Sequence, residues 1–221
     1  MRLFNLFLNG NFIVHLFQEK FPFALGQYQI PKYQVNVEPS KTLHTLKLTN
    51  ITLPYKNILK IPDITFSLDQ NYAIVGESGS GKSSLLKVLI GEIDYYQGEV
   101  WLDQQLKNPK QNLFSIVSYM NQETFLFNDT IKNNIDLLGT LSNTEVQILL
   151  TKIGLGNLAP EMMIQDNGKN LSGGQRQRIA FARAIARKKD ILILDEACAN
   201  LDAQSAQIIE KLAFQSAKTV L

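Results

Sequence analysis

The segment Gly76-Glu77-Ser78-Gly79-Ser80-Gly81-Lys82-Ser83 lies between a short apolar run, Tyr72-Ala73-Ile74-Val75, and a helix-compatible run, Ser83 to Ile90, that stops at Gly91. This is the pattern G-x-x-x-x-G-K-[ST] in the setting that gives it chemical meaning, with a strand before it and a helix after it. Gly76, Gly79 and Gly81 let the backbone curl so that successive N–H groups point at phosphate oxygens. The helix starting near Gly81 adds the partial positive charge of its N-terminus. In this reading Lys82 reaches the β- and γ-phosphates and the Ser83 hydroxyl ligates Mg²⁺. The phosphate cradle is Gly76, Glu77, Ser78, Gly79, Ser80, Gly81, Lys82, Ser83 and Ser84. The alternative, an ordinary glycine–serine turn, is disfavoured by the flanking strand and helix.

The rest of the chain supplies a frame for such a loop. Strands are predicted over Leu43 to Leu53, Asp63 to Leu68, Asn71 to Val75 and Gly98 to Asp103, the first from the period-2 alternation of Leu46-Lys47-Leu48-Thr49. Helices are predicted over Thr144 to Ile153 and Gln175 to Arg187. Ile191-Leu192-Ile193-Leu194 is a wholly apolar strand that ends in Asp195-Glu196. Strand, glycine loop, helix and a later buried strand indicate an α/β core with parallel strands. Ligands of such a sheet bind beyond the carboxyl ends of its strands, which brings these two acids to the phosphates. Asp195 is the expected Mg²⁺ partner, and Glu196, one residue further on, is placed to polarise an attacking water.

Composition excludes several other classes. Lys+Arg 22 against Asp+Glu 20 leave a net charge of +2, too small a basic excess for nucleic acid to be the main partner. The single cysteine, Cys198, forms no internal disulfide, and only His15 and His44 are available to join it at a zinc site. No run of 18 apolar residues exists to span a bilayer. Residues 1–40 read as an amino-terminal arm and a linker carrying Pro22, Pro31 and Pro39. The arm has two readings, a segment packing on the domain or one that adjoins a membrane-embedded partner.

Leu171-Ser172-Gly173-Gly174-Gln175-Arg176-Gln177-Arg178 opens a helix with a serine cap, a second exposed helix N-terminus suited to an anion. If the two anion surfaces lie on different lobes, one chain cannot close both on one phosphate, which points to two chains. With GESGSGKSS and ILILDE, this LSGGQRQR segment resembles the nucleotide-binding domain of ATP-binding cassette (ABC) transporters over Lys41 to Leu221. The resemblance implies a P-loop NTPase core with a parallel sheet, an antiparallel β subdomain and a helical subdomain at about 124–174. It further implies ATP and Mg²⁺ as cofactors, a transmembrane export domain and a second cassette as partners, and the cytoplasmic face of the membrane as location. Gln122 resembles the glutamine that contacts Mg²⁺ and water, so Ser83, Gln122 and Asp195 form the implied metal set, with Glu196 and Gln122 catalytic. Ser172, Gly173, Gly174 and Gln175 are implied to act on the nucleotide of the opposite subunit, and Asn200-Leu201-Asp202 resembles the loop that crosses to it. Tyr55 resembles the aromatic that stacks on adenine, its other reading being an ordinary strand tyrosine.

Phe125 to Ile135 resembles exporter-type cassettes, and Asn167-Gly168-Lys169-Asn170 resembles exporters of peptides. The family's switch histidine would fall beyond Lys218-Thr219-Val220-Leu221, so truncation is the expectation. A non-hydrolysing ATP-binding fragment therefore stands beside the reading as an export ATPase. A soluble repair ATPase is a weaker third, since the stretch from Ser83 to Ser172 is too short for the coiled coils of that class. Cys198-Ala199, where the family more often has Thr-Ser, reads as a small buried pair.

Overall fold

In the computed structural model, which describes residues 43–54, 58–108, 113–199 and 201–221, the alternation of the first strand changes phase midway. Strand β1, Thr45–Leu53, buries Leu46 and Leu48, then Ile51 and Leu53. Even positions give way to odd ones at Asn50, whose φ is 52°, and the pairing with β4 (Gln97–Leu102) shifts register between Thr49 and Thr52. One inserted residue thus keeps four apolar side chains on the core face. The Asn50 N–H donates to Asp63 Oδ1 at 2.7 Å, which braces the bulge. With β2 (Leu59–Lys60), β3 (Ile64–Ser67) and β5 (Gln105–Leu106), these strands form an antiparallel sheet in the order β2-β1-β4-β5, with β3 also paired to β1.

The second sheet is parallel, in the order β6-β7-β8, from Val117–Met120, Ile191–Leu194 and Thr219–Val220. Its central strand is buried on both faces. Ile191 and Ile193 join the antiparallel sheet and helix α1 (Lys82–Ile90) in one apolar cluster. Leu192 joins α3 (Asn143–Lys152), α4 (Gly173–Ala186) and α5 (Ala203–Ser216) in another. An all-apolar strand between two layers is what a parallel sheet covered on both faces requires. The predicted helices appear within two residues of their expected bounds, and Gly91 ends α1 in the left-handed conformation at φ 83°.

The segment Tyr72–Val75 departs from its expected strand. The Tyr72 N–H donates to Val220 O at 2.9 Å, but no ladder follows, and Val75 is 88% exposed. Only the Tyr72 backbone meets β8, and Ile74 packs on the apolar cluster without strand pairing. The segment runs into the glycine loop as extended chain.

A half-buried cation on α4 fastens the irregular stretch from Phe125 to Asn134. Arg183 donates from Nη1 to Phe125 O at 2.8 Å, from Nε to Asn134 O at 2.6 Å and from Nη2 to Asn134 Oδ1 at 3.0 Å, and lies over the Phe127 ring. Burial pulls its pKa down to about 10, so it stays charged at neutral pH. Asn134 in turn donates to Phe127 O, and α2 (Ile131–Ile135) is capped by Thr130.

Helix α3 begins in a reciprocal capping box between Ser142 and Glu145. Ser142→Ala is expected to lower stability by about 1 kcal/mol, read as a fall in denaturant midpoint at unchanged slope. Among the described residues no helix is long and apolar enough to cross a membrane.

Candidate nucleotide site

The glycine loop folds over the start of α1. Gly81 is the N-cap residue at φ 97° and provides no side-chain bond, whereas Thr130, Ser142, Ser172 and Asp202 each cap their helices with an oxygen. The first turn of α1 therefore has no capping oxygen of its own to offer its N–H groups, as an anion site requires. Gly79, at φ 80°, has open space where a Cβ would stand. A Cβ on Gly76 would meet Ser80 Oγ at 2.8 Å. Lys82 Nζ donates to Gly76 O and Glu77 O, each at 2.8 Å, and so ties the loop to its own helix.

Two carboxylates close the site from the end of β7. Ser83 Oγ donates to Asp195 Oδ1 at 3.0 Å, and Tyr119 Oη donates to Asp195 Oδ2 at 3.0 Å. Asp195 is buried, and its N–H continues the β6–β7 ladder by donating to Met120 O at 3.0 Å. Burial, reinforced by the charge of Asp195, drives the Tyr119 phenol well above its ordinary value, so it remains a donor. Glu196 is exposed and stands at φ 54°, the left-handed region that a residue with a Cβ seldom adopts. Gln122 Nε2 donates to Glu196 Oε2 at 2.5 Å, and Gln177 Nε2 donates to the Glu196 backbone O at 3.3 Å.

A cleft of about 400 Å³ lies over these groups. Its walls are Ser78, Gly79, Gly81, Lys82, Ser83 and Ser84 from the loop and α1, Ile58 and Leu59 at the start of β2, and Gln122 and Glu196. Ser172, Gly173, Gly174 and Gln175 are not among its walls. Ser172 and Gln175 engage each other in a capping box, Gln175 N–H to Ser172 Oγ at 3.2 Å and Ser172 N–H to Gln175 Oε1 at 2.8 Å. Tyr55 and Asn200 lie outside the described residues. Asp202 caps α5 through Ser205, whose backbone N–H bond lowers the Asp202 pKa. Cys198 and Ala199 are exposed rather than a buried pair, and it is Ala197 just before them that enters the core.

Tyr119 and Gln177 are not among the residues singled out from the sequence. Each carried a signal, a phenol three positions before Gln122 and an amide on the buried stripe of α4. The donor set would suit both halves of a magnesium nucleotide. A hydroxyl and a carboxylate are hard oxygen ligands of the kind Mg²⁺ takes, and a lysine with an uncapped helix start suits phosphate.

Loop, helix start and acidic strand end define a P-loop nucleotide-binding α/β domain. A profile of the ABC transporter family matches residues 59–199, more than half of the chain. The chain belongs to that family. It is 38% identical over 173 residues to a putative export ATP-binding/permease protein of Rickettsia bellii, covering 73% of this chain and 30% of the relative. It is 35% identical over 218 residues to an ATP-dependent lipid A-core flippase of Sodalis glossinidius, covering 90% of this chain and 37% of the relative. The chain thus spans about a third of the length of these relatives. Its fold matches that of a bacterial Atm1-family ABC exporter with ATP bound, at a TM-score of 0.74 and 24% identity, over 94% of this chain and 39% of the exporter.

Proposed function

We propose that this chain binds and hydrolyses Mg-ATP and that this cycle drives export through a membrane domain at the cytoplasmic face of the cell membrane. The observation that carries the reading is the meeting of Ser83 with Asp195 and of Gln122 with Glu196 at one cleft. Lys82 and the N-terminus of α1 would hold the phosphates, with Ser83, Asp195 and Gln122 holding the cation. A bound Mg²⁺ would neutralise charge on the β- and γ-phosphates. Glu196, aimed by Gln122 and Gln177, would take the proton of the attacking water on its carboxylate. Ile58 and Leu59 form the apolar wall on the side where Tyr55 lies in sequence, the expected side for the base.

Ser172 to Gln175 stand away from this cleft, which supports a second cassette, identical or not, presenting them to the nucleotide of its neighbour. Residues 1–40 would be the arm and 41–221 the cassette, with its helical subdomain at about 124–174. Exporter and flippase relatives favour export as the task, and the cargo, whether a peptide, another solute or a lipid, is set by the membrane partner.

Steady-state Mg-ATP hydrolysis by the purified chain, with Glu196→Gln beside it, tests the reading. Turnover is expected to fall at least 100-fold in the variant, the scale of a lost general base, while ATP binding is kept. The variant is expected to form an ATP-dependent dimer on size-exclusion chromatography. A monomer at saturating ATP would count against the two-chain site, and binding without turnover by the native chain would favour the non-hydrolysing reading.

A further inference from the structure

The buried carboxylate at the end of β7 is held by a group outside the assigned set. Parallel register places Tyr119 opposite Ile193 and Met120 opposite Leu194, and the Asp195 N–H extends that ladder by one residue. Strand alternation then puts Val117, Tyr119, Ile191 and Ile193 toward α1 and the loop, while Ser118 turns the other way and donates to Ala184 O on α4. Asp195 follows the same alternation as Ile193, so the phenol and the carboxylate meet beneath the loop. The two carboxylate oxygens receive one neutral donor each, Ser83 Oγ on Oδ1 and Tyr119 Oη on Oδ2, both at 3.0 Å. A carboxylate bonded at both oxygens cannot turn about its Cβ–Cγ bond without breaking one of the two bonds. With the phenol removed, Oδ2 is left buried without that donor and only the serine constrains the group.

We infer that Tyr119 is a positioning residue which, through Asp195, sets the affinity of the nucleotide site for its divalent cation. This rests on the nucleotide-site reading above and adds a residue to it. It acts as the hydrogen-bonded partners of ligating carboxylates do at other metal sites, by orienting the oxygen that faces the ion.

The test uses Tyr119→Phe, which keeps the ring and removes only the hydroxyl. A fluorescent, slowly hydrolysed ATP analogue is bound to the chain while Mg²⁺ is titrated, so that the readout is binding rather than turnover. The half-saturating Mg²⁺ concentration is expected to rise about 10- to 100-fold with analogue affinity in EDTA unchanged, while the apo melting temperature falls by about 2–10 °C because the buried Oδ2 has lost a donor. A midpoint within twofold of the native chain overturns the inference, as does an equal loss of affinity in EDTA. Asp195→Asn separates this failure from that of the parent reading. If it leaves the Mg²⁺ dependence intact, Asp195 does not hold the cation and both fall. If it removes the dependence while Tyr119→Phe does not shift the midpoint, only the role of Tyr119 falls. In the Asp195→Asn background, Tyr119→Phe is expected to add no further change, and an added shift would show that the tyrosine acts on something other than Asp195.

Discussion

Lys82→Ala is expected to abolish detectable binding of Mg-ATP at micromolar concentrations while the domain stays folded. Among the described residues the ammonium is the one cation on the walls of the cleft, and it donates to two carbonyls, Gly76 O and Glu77 O, at 2.8 Å each. With nucleotide present the same group would exchange those carbonyls for phosphate oxygens. Charge-assisted hydrogen bonds are worth about 1.5–3 kcal/mol each, so losing two costs about 3–6 kcal/mol, or roughly a hundred- to ten-thousand-fold in affinity. Fluorescence titration with ATP and a thermal melt of the apo chain together measure this. Retained micromolar binding would remove the phosphate-loop assignment, and a melt lowered by many degrees would mean that the lysine acts mainly on the fold.

Gly98→Ala is expected to be the most damaging small substitution in the antiparallel sheet. Gly98 stands at φ 103° where β4 passes the bulge of β1, and an added Cβ would lie 2.5 Å from Asn50 O and 2.6 Å from both Asn50 C and Thr49 O. All of these are backbone atoms, so no side chain can swing away to make room. Left-handed strain and a backbone clash together are worth about 3–5 kcal/mol, a fall in melting temperature on the order of 10 °C for a domain of this size. Gly139→Ala separates the two contributions. Gly139 is also left-handed, at φ 69°, but nothing lies within 4 Å of its Cβ position, so only about 1–2 kcal/mol of strain is expected there. Equal losses at the two glycines in a denaturant titration would mean that the bulge adjusts and the clash argument fails.

How much of this was legible in the sequence follows from how local each signal is. The end of α1 at Gly91, the cap of α4 at Ser172 and the burial of Ile191–Leu194 rest on neighbouring residues and their periods, and they were read correctly. The change of phase in β1 was also written in the string, as Leu46 and Leu48 followed by Ile51 and Leu53, yet it reads as noise until the bulge at Asn50 is known. Tyr72–Val75 misled because an apolar tetrapeptide reports a preference for strand and not the existence of a partner strand. Cys198 and Ala199 misled for a related reason. Small residues suit buried positions, but here Ala197 takes the buried place and Cys198 and Ala199 stay outside.

The sequence by itself determined the chemistry available: a curled glycine loop, a lysine and serine at a helix start, two carboxylates at a strand end, and a second helix opened by Ser-Gly-Gly-Gln. Each is a run of contiguous residues whose geometry follows from its own backbone preferences. The resemblance had already grouped Ser83, Gln122, Asp195 and Glu196, but only the tertiary structure decided which atoms meet and brought Tyr119 to Asp195. Ser83 and Asp195 are 112 positions apart, Tyr119 and Asp195 are 76 apart, and Gln122 and Glu196 are 74 apart. Their contact depends on the parallel register of β6 on β7 and on α1 packing across the same face, which no local pattern encodes. A slip of one residue in that register would turn Tyr119 toward α4 and leave the Asp195 carboxylate with the serine alone.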